Sequence, residues 1–331
     1  MKKHFIAING LGRIGRLSLR VLLRKEGIQI VALNDISDIK TIAHLLKYDS
    51  NYGQIEELIT HDESHIVIGN QKILVTSETK SGKLPWSSLG VQTVIESTGQ
   101  FLDRESISQH LVAGAKRVIV AAPVKSDDIP TVVFGVNDHI LTTNTSIISN
   151  ASCTTNCLAP MAKVLDDNFG IEHGYMTTIH AYTTDQRLQD SIHKDLRRAR
   201  AACLSIIPTS TGAAKSIGLI IPHLKDKLYG IAMRVPVSTG SITDLTVILK
   251  KNTTKDEVNK VMETAAEGFL KGIMMYTCDP LVSVDIIGNT HSCIFDSQLT
   301  EVNGNIAKVF GWYDNEWGYA NRIADLLTKL S

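Results

Sequence analysis

A short apolar run that leads directly into a glycine-rich turn restricts the fold of this chain more than any other stretch. Residues 5–8 (FIAI) have the composition of a buried parallel strand, and residues 9–15 (NGLGRIG) contain the pattern G-x-G-x-x-G. In such a turn Gly10 permits the tight bend, Gly12 lets the backbone approach a pyrophosphate, and Gly15 lets the next helix pack closely on the strand. The pattern predicts a phosphate group at the start of that helix.

The residues after this turn extend it to a strand-helix-strand unit. Leu17 and Val21 continue at helical spacing, and residues 28–33 form a second apolar run. Asp35 follows this run, twenty residues after Gly15, where a carboxylate can accept hydrogen bonds from the ribose hydroxyls of an adenosine. A glycine pattern alone could be a simple turn. Dinucleotide binding is predicted because the glycines here stand in the expected order with a strand before them and a helix, a second strand and an acidic residue after them.

Further apolar runs in the first 150 residues extend this unit into an open sheet. The strand candidates are residues 65–68, 72–75, 94–97 and 117–120. The amphipathic segment 104–116 can form a crossover helix between the last two of them. Because ligands bind beyond the carboxyl ends of parallel strands, we expect Ser97, Thr98 and Gly99 to line the cofactor cleft.

Beyond residue 150 the pattern changes to strands with partial alternation of apolar and polar residues, which is typical of a sheet with one covered face. The strand candidates here are residues 175–180, 243–250, 282–287, 292–296 and 307–312. Residues 257–271 predict an amphipathic helix, and residues 317–330 predict a final helix. This half of the chain therefore has the pattern of an α+β domain.

The polar junction between these halves places a thiol at the start of a helix. Residues 149–157 (SNASCTTNC) follow a short strand, and apolar residues recur at helical spacing after them. Free backbone amides and the helix dipole at this position favour the thiolate form of Cys153. A buried core cysteine is the alternative, but Cys153 has polar neighbours, whereas Cys157 stands beside Leu158 and Ala159 and is interpreted as a packing residue.

The composition excludes several classes of protein. The 331 residues carry 34 basic and 34 acidic side chains, so no net positive field attracts nucleic acid. No apolar run is long enough to cross a membrane, and no signal-peptide pattern precedes the first strand. Five cysteines without C-x-x-C spacing predict neither a disulfide framework nor a zinc site. A cytoplasmic protein with no membrane or nucleic-acid partner is expected.

Motifs spread in order along the chain make it similar to the glyceraldehyde-3-phosphate dehydrogenase family. They are residues 9–16, 149–157, 180–183, 195–202, 208–215, 233–236 and 312–318. The resemblance implies a homotetramer and a phosphorylating, NAD-dependent oxidation of glyceraldehyde 3-phosphate to 1,3-bisphosphoglycerate. It also implies a Rossmann-type, doubly wound parallel sheet in residues 1–152, completed by the helix in 315–331. An α+β catalytic domain with a mostly antiparallel sheet would occupy residues 153–314.

The chemistry of such a reaction agrees with the residues. An aldehyde becomes a hydride donor once a nucleophile has added to it, so Cys153 would form a hemithioacetal and then a thioester. The resemblance assigns His180 as the acid/base partner, because imidazole titrates near neutrality. Spacing alone does not select it among eleven histidines.

The resemblance also assigns binding residues. Thr183 and Arg234 would hold the substrate phosphate, and Arg198 would shape the pocket for the attacking phosphate. That second phosphate would be held by Ser152, Thr154, Thr211 and Gly212. The cofactor would contact Gly10, Gly12, Arg13, Ile14, Gly15, Asp35, Ser97, Thr98, Gly99, Asn315 and Tyr319. Considered without the resemblance, the arginines near Arg198 could equally form a solvated charge run.

One departure from the family pattern bears on the cofactor. Family members that are strict for NAD commonly carry Leu-Pro where this chain has Ser191-Ile192, which leaves NADP use open, although the Asp35 carboxylate should repel a 2′-phosphate.

Two other functions are retained as alternatives. One is erythrose-4-phosphate dehydrogenase, which releases the acid by hydrolysis, and the other is a noncatalytic binding protein.

Overall fold

The computed structural model describes residues 3–330, which divide into two compact units. Among the described residues, unit 1 comprises 3–132, 140–151 and 320–330, and unit 2 comprises 133–139 and 152–319. The short segment 133–139 thus clusters with unit 2, although the sequence pattern assigned it to the first domain. The predicted domain boundaries stay a prediction.

Unit 1 is built on an eight-stranded sheet with the order β10-β9-β8-β1-β2-β7-β6-β5. Its strands are β1 (His4–Asn9), β2 (Ile28–Asn34), β5 (Ile59–His61), β6 (His65–Ile68), β7 (Gln71–Thr76), β8 (Thr93–Glu96), β9 (Arg117–Val120) and β10 (Ile147–Ser149), and β3 (Tyr48–Asp49) pairs separately with β4 (Gly53–Gln54). Strands β10 to β7 are parallel, and β6 and β5 continue antiparallel. The strand order reverses between β1 and β8, which is the ligand-binding switch point of a doubly wound sheet.

The helices of unit 1 begin and end where local chemistry allows. They are α1 (Arg13–Leu22), α2 (Ile39–Lys47) and α3 (Arg104–Val112), and a 3₁₀ turn covers Ser81–Lys83. Asp103 caps α3 by accepting a hydrogen bond from the Ser106 amide at 2.9 Å. Helix α3 is shorter than predicted because Gly114 follows with a φ of +108°, and a Cβ there would lie 2.5 Å from that of Ser87. The turn therefore needs glycine.

Unit 2 contains a second sheet, in the order β12-β13-β11-β14-β18-β16-β15, with β17 paired to β18. Its strands are β11 (Ile171–Ala181), β12 (Ile207–Ser210), β13 (Leu228–Val235), β14 (Ser241–Leu249), β15 (Met274–Thr277), β16 (Cys293–Asp296), β17 (Glu301–Asn303) and β18 (Ile306–Tyr313). Only the β11–β13 and β15–β16 pairs among these are parallel. The predicted fold class, a doubly wound α/β sheet followed by an α+β domain with a mostly antiparallel sheet, is confirmed.

The remaining helices are α4 (Cys153–Phe169), α5 (Ala213–Ile220), α6 (Lys255–Glu267) and α7 (Trp317–Lys329). Short 3₁₀ segments cover Asp138–Ile140, Ala202–Leu204, Pro222–Leu224, Ser283–Ile286 and Ser297–Leu299. Helix α7 begins in unit 2 and passes into unit 1 at Ala320. None of the helices within residues 3–330 is both long and apolar enough to span a bilayer.

The predicted strand at 282–287 is wrong, because this segment forms a 3₁₀ turn over Ser283–Ile286. Its apparent alternation does not reflect burial, since Val282 and Val284 are exposed, and the Asp285 carboxylate accepts a hydrogen bond from the Val282 amide at 2.8 Å. Strand β13, in contrast, was not predicted, because its sequence lacks a clear strand pattern. It contains Gly230, where a Cβ would lie 2.8 Å from the Met176 carbonyl oxygen of β11, so close strand packing required a residue of low strand propensity.

Candidate active site

The predicted nucleophile lies at the first residue of a buried helix. Strand β10 ends at Ser149, and Ala151 then takes a left-handed conformation with a φ of 54°, which is strained for a residue with a Cβ. Ser152 is the N-cap of α4, and its hydroxyl accepts a hydrogen bond from the Thr155 amide at 3.1 Å. Cys153 therefore stands in the first turn of α4, as predicted from the sequence.

Strand pairing places the other reactive side chains beside this thiol. Strands β11 and β13 run parallel, with His180 opposite Arg234 in the register. The Cys153 sulfur lies 3.5 Å from Nε2 of His180, and a guanidinium nitrogen of Arg234 lies 2.5 Å from Nδ1 of the same ring. A thiol, an imidazole and a guanidinium thus form one contiguous group, as a nucleophile, its base and an anion-binding cation would.

The surroundings of Nδ1 connect the tautomer of His180 with the protonation state of the thiol. This nitrogen lies 2.7 Å from the Ala181 carbonyl oxygen, to which only Nδ1–H can donate, and it also lies near Arg234, from which only an unprotonated Nδ1 can accept. With the proton on Nδ1, the free Nε2 lone pair faces Cys153 and can take the thiol proton. With the proton on Nε2, the ring donates to a thiolate. Each tautomer of the neutral ring therefore fits one state of the sulfur.

Burial opposes charge on both members of the pair. It raises the pKa of the Cys153 thiol, although the Arg234 charge and the Thr154 amide act in the opposite direction. Burial and the Arg234 charge together lower the pKa of His180 to about 3. The sequence predicts a thiolate from the helix start alone, whereas in the folded protein desolvation outweighs that effect. Desolvation in the folded protein therefore favours the neutral form of each side chain.

Tyr313 is a residue of this site that the sequence reasoning did not assign. Its hydroxyl lies 2.9 Å from the Thr154 hydroxyl and 2.7 Å from that of Thr178, and its ring meets the His180 ring edge-on with centroids 5.9 Å apart. Burial raises the pKa of Tyr313, so it remains a phenol. The only sequence signal was its place in the WYDNEWG motif. The Thr154 hydroxyl, a predicted phosphate ligand, is already bonded to this phenol.

The predicted phosphate-binding residues lie in unit 2, at the starts of two helices, on one strand and in the loops between elements. Thr183 stands in a turn after β11, where its amide donates to the Gln186 side chain at 3.2 Å. Thr211 and Gly212 directly precede α5, and the Thr211 hydroxyl accepts a hydrogen bond from the Ala213 amide at 3.2 Å. Helix starts of this kind offer amides to an anion.

The arginine run divides into a structured member and exposed ones. Arg198 pairs with the Asp185 carboxylate and donates from Nε to the Thr209 hydroxyl at 2.9 Å. Arg197 and Arg200 are exposed. Arg198 ties its loop to β12, and Arg200 pairs with Asp190 at 2.8 Å, so only the exposed Arg197 has the surroundings that the charge-run interpretation describes. Asp185, the partner of Arg198, was not singled out from the sequence.

Asn315 and Tyr319 stand at the end of unit 2. The Asn315 side-chain oxygen accepts a hydrogen bond from the Ser241 hydroxyl at 2.8 Å, and the residue is buried. This bond fixes the orientation of the amide and leaves its NH₂ group as the donor. Tyr319 is buried within α7. The orienting Ser241 could not be foreseen, because it lies 74 residues away in the sequence.

The glycine turn of unit 1 has the geometry that a pyrophosphate needs. Gly10 has a φ of +93°, and a Cβ there would lie 2.7 Å from the Thr98 amide nitrogen. A Cβ on Gly15 would lie 1.9 Å from the Gly10 carbonyl oxygen. Gly12 is exposed and caps α1 without a side-chain hydrogen bond, so no capping side chain stands between a phosphate and the start of the helix. These residues fit a dinucleotide.

The charged residues near this turn are held by the backbone and by each other. The Asp35 carboxylate accepts a hydrogen bond from the Leu11 amide at 2.6 Å and from the Ser37 amide at 2.9 Å. The Arg13 guanidinium forms an ion pair with the Asp49 carboxylate. Arg13 and Ile14 are the first two residues of α1. The Ser97 hydroxyl donates to the Gly10 carbonyl oxygen at 2.7 Å.

Comparison with known proteins agrees with both halves of this description. The family described as "Glyceraldehyde 3-phosphate dehydrogenase, NAD binding domain" matches residues 4–104, and its "C-terminal domain" matches residues 152–315. The predicted NAD cofactor is thereby confirmed. The chain is 56% identical over 324 residues to glyceraldehyde-3-phosphate dehydrogenase of Streptomyces coelicolor, with 97% of this chain and 96% of that protein aligned. It is 55% identical over 332 residues to the same-named protein of Borreliella burgdorferi, with 98% and 99% aligned. The chain belongs to the glyceraldehyde-3-phosphate dehydrogenase family.

Proposed function

We propose that this protein catalyses the NAD-dependent, phosphorylating oxidation of glyceraldehyde 3-phosphate to 1,3-bisphosphoglycerate. The observation that carries this proposal is the Cys153 sulfur 3.5 Å from His180, with Arg234 against the other ring nitrogen. Relatives that align with nearly the whole chain carry the name of this dehydrogenase.

Cys153 and His180 perform the covalent steps. As the Cys153 sulfur bonds to the aldehyde carbon, its proton passes to Nε2 of His180, and the imidazolium then protonates the carbonyl oxygen to give a hemithioacetal. Bound NAD supplies a hydride acceptor. His180 takes the hydroxyl proton back as the C–H bond of the hemithioacetal breaks, which leaves a thioester on Cys153. Attack by inorganic phosphate on the thioester carbon then breaks the C–S bond and releases the acyl phosphate, and the His180 imidazolium returns its proton to the sulfur, which restores the thiol.

Two phosphate groups need separate sites. Arg234 and Thr183 are assigned to the substrate phosphate, because Arg234 is half-buried and its Nε has no partner among the described residues. A half-buried cation of this kind favours an anionic ligand. The attacking phosphate is assigned to Ser152, Thr154, Thr211 and Gly212, with Arg198 holding the neighbouring strand. The hydroxyls of Ser152 and Thr154 already have partners, so rearrangement or backbone amides would serve the phosphate there.

The cofactor residues are assigned in each unit by itself. In unit 1, the backbone of Gly10, Gly12, Arg13, Ile14 and Gly15 would hold the pyrophosphate. Asp35 would accept from the adenosine ribose, and the turn of Ser97, Thr98 and Gly99 would contact the cofactor beside it. In unit 2, the free NH₂ group of Asn315 would bind the nicotinamide carboxamide, with Tyr319 packed near it.

Phosphate dependence tests the proposed reaction. With glyceraldehyde 3-phosphate and NAD, we expect the steady rate of NADH formation to require inorganic phosphate and to saturate with it. Without phosphate, about one equivalent of NADH per active site should form before the rate falls, because the thioester accumulates. A steady rate that is indifferent to phosphate would instead indicate hydrolysis of the thioester, and a parallel assay with erythrose 4-phosphate would then test that alternative.

We propose that NAD is preferred over NADP, with the loop at Ser191-Ile192 limiting the discrimination. Ile192 is 93% exposed, so the loop presents this side chain to its surroundings. The double variant Ser191→Leu/Ile192→Pro restores the bulk of the NAD-strict pattern and is expected to lower kcat/KM for NADP relative to NAD by about tenfold. Steady-state kinetics with both cofactors measures the ratio. An unchanged ratio would mean that the determinant lies elsewhere, with Asp35→Ala as the next variant.

We propose that the protein is a homotetramer. The outward face of β11 and β13 carries the exposed rings of Tyr175 and Tyr229, whose centroids are 5.9 Å apart, and Ile231 continues this apolar patch. Contiguous exposed apolar surface on a sheet indicates an interface, and copies of one chain assemble with closed symmetry. Sedimentation velocity at micromolar concentration should give four times the chain mass of 36.3 kDa, and Ile231→Asp should give smaller species. A monomer of the unaltered chain would contradict the proposal.

We also propose a cytoplasmic location for the enzyme. All five cysteines are free thiols, and a reducing compartment preserves such thiols. Substrate, phosphate and NAD account for the partners of the site, and no specific observation favours nucleic acid or a membrane as another. Fractionation of cells with an antibody to this chain would test the location, and recovery with secreted or membrane material would contradict it.

A further inference from the structure

A chain of buried and half-buried side-chain hydrogen bonds crosses the carboxyl ends of four neighbouring strands in unit 1. We call it the strand-end network, and its members are Thr76 (β7), Asn34 (β2), Asn9 (β1), Glu96 (β8), Thr98, His110 and Trp86. Within it the Thr76 hydroxyl donates to Asn34 at 2.8 Å, Asn34 donates to Asn9 at 2.7 Å, and Asn9 donates to Glu96 at 2.5 Å. This path follows the edge of the sheet at which a dinucleotide binds.

Glu96 is the centre of this network. Its side chain is buried, and one carboxyl oxygen accepts from the Thr98 amide at 2.8 Å and the Thr98 hydroxyl at 2.5 Å. The other oxygen accepts from Asn9 and lies 3.0 Å from Nε2 of His110. The Trp86 indole donates to Nδ1 of His110 at 3.0 Å, so the proton of that ring is on Nε2 and is donated to Glu96. Every partner of the carboxyl group is therefore a donor.

The network members stand next to the residues assigned to the cofactor. Asn9 precedes Gly10, Asn34 precedes Asp35, and Glu96 precedes the turn that begins at Ser97. The turn also touches the glycine loop directly, since a Cβ on Gly10 would lie 2.7 Å from the Thr98 amide nitrogen. A shift of Thr98 would therefore displace the glycine loop, and the network determines the separation of the loops that a dinucleotide must contact at once.

We propose that Glu96 is a positioning residue for cofactor binding, which holds Thr98 and Asn9 so that the loops after β1, β2 and β8 are organised before NAD arrives. This inference rests on the proposed roles of Gly10, Asp35 and Ser97. Replacing Glu96 by Gln leaves one acceptor oxygen and turns an NH₂ group toward donors, and His110 cannot adapt because Trp86 occupies its Nδ1. The loops should then lose their preorganisation.

General loss of stability is the alternative explanation, and the same two strands offer a matched control. At the opposite ends of β1 and β8, Nε2 of His4 lies 3.0 Å from the Thr93 hydroxyl, and both residues are buried. Thr93→Val removes this hydrogen bond far from the cofactor loops. It should lower the melting temperature without changing the Kd for NAD.

The experiment measures NAD binding by isothermal titration calorimetry on the full-length, cofactor-stripped protein, with melting temperatures in parallel. Glu96→Gln should raise the Kd for NAD by about tenfold, with kcat at saturating NAD within about twofold of the unaltered protein, because bound NAD restores the loops. Thr93→Val should leave the Kd within about twofold. If Glu96→Gln does not fold, Asn9→Ser severs the network one bond away and is judged by the same criterion.

Two outcomes would overturn the inference. One is a folded Glu96→Gln or Asn9→Ser protein whose Kd stays within about twofold, and the other is an equal rise in Kd for Thr93→Val. Because binding is measured without turnover, failure of the proposed reaction would not alter these results. The unaltered protein tests the assigned cofactor residues separately from the role of Glu96. If it does not bind NAD, the assignment of those residues is wrong.

Discussion

Replacing Cys153 by serine is expected to lower the rate of NADH formation from glyceraldehyde 3-phosphate by on the order of 10⁴-fold or more. A serine hydroxyl is far harder to ionise than a thiol, and an ester is less reactive toward phosphate than the thioester that the reaction needs. The Kd for NAD should remain within about twofold, because the glycine turn lies in unit 1 and is unchanged. Steady-state kinetics and calorimetry on the same preparation measure both quantities.

Cys157→Ser is the matched control, since the residue lies one helical turn further along α4. Its buried thiol donates to the Gly311 carbonyl oxygen at 3.4 Å, a bond that a serine hydroxyl can replace. Most activity should therefore survive. Equal losses in the Cys153 and Cys157 variants would refute the assignment of the nucleophile, as would aldehyde oxidation that persists after Cys153 has been fully alkylated.

His180→Asn is expected to lower kcat by about 10²- to 10⁴-fold, because the thiol proton then has no base within reach. The variant should also react more slowly with iodoacetamide at neutral pH, since Nε2 no longer takes or shares the proton of Cys153. Alkylation rates against pH measure this effect. A variant with unchanged alkylation and kcat would show that another group accepts the proton.

The same substitution should alter how stability depends on pH. Burial and the Arg234 charge lower the pKa of His180 to about 3 in the folded protein, against an ordinary value of 6.5. Between these values the unfolded chain binds a proton that the folded chain does not, so the free energy of unfolding falls as the pH falls, by up to about 1.4 kcal/mol per pH unit. His180→Asn should remove this contribution. Urea unfolding between pH 7 and pH 4 tests it, and parallel curves for both proteins would contradict it.

Features that depend on neighbours in the sequence were predictable. The strand, glycine turn and helix of residues 5–22 are local signals, and so is the position of Cys153 at the start of α4. The strand predicted at 282–287 was wrong because its alternating apolar residues were assumed to be buried, whereas Val282 and Val284 are exposed. Local pattern identifies an element best where packing and propensity agree.

Features that arise from tertiary contacts were not predictable from local pattern. Tyr313 meets Thr154 across 159 residues of sequence, and Arg234 stands beside His180 only because β11 and β13 pair in parallel. The pKa of Cys153 shows the same limit, since the helix start is visible in the sequence but the desolvation that outweighs it is not. The family resemblance supplied Arg234 and His180, but not the reason that they act together.

The division of the chain between the units has a consequence for synthesis on the ribosome. The segment from Ala320 onward belongs to unit 1, although unit 2 is translated before it. Domains usually fold as they emerge, with the first-made domain first. Here the nucleotide-binding unit remains incomplete until the end of α7 has left the exit tunnel. A nascent chain stalled before residue 320 should therefore be more open to protease in its first 130 residues than the released protein.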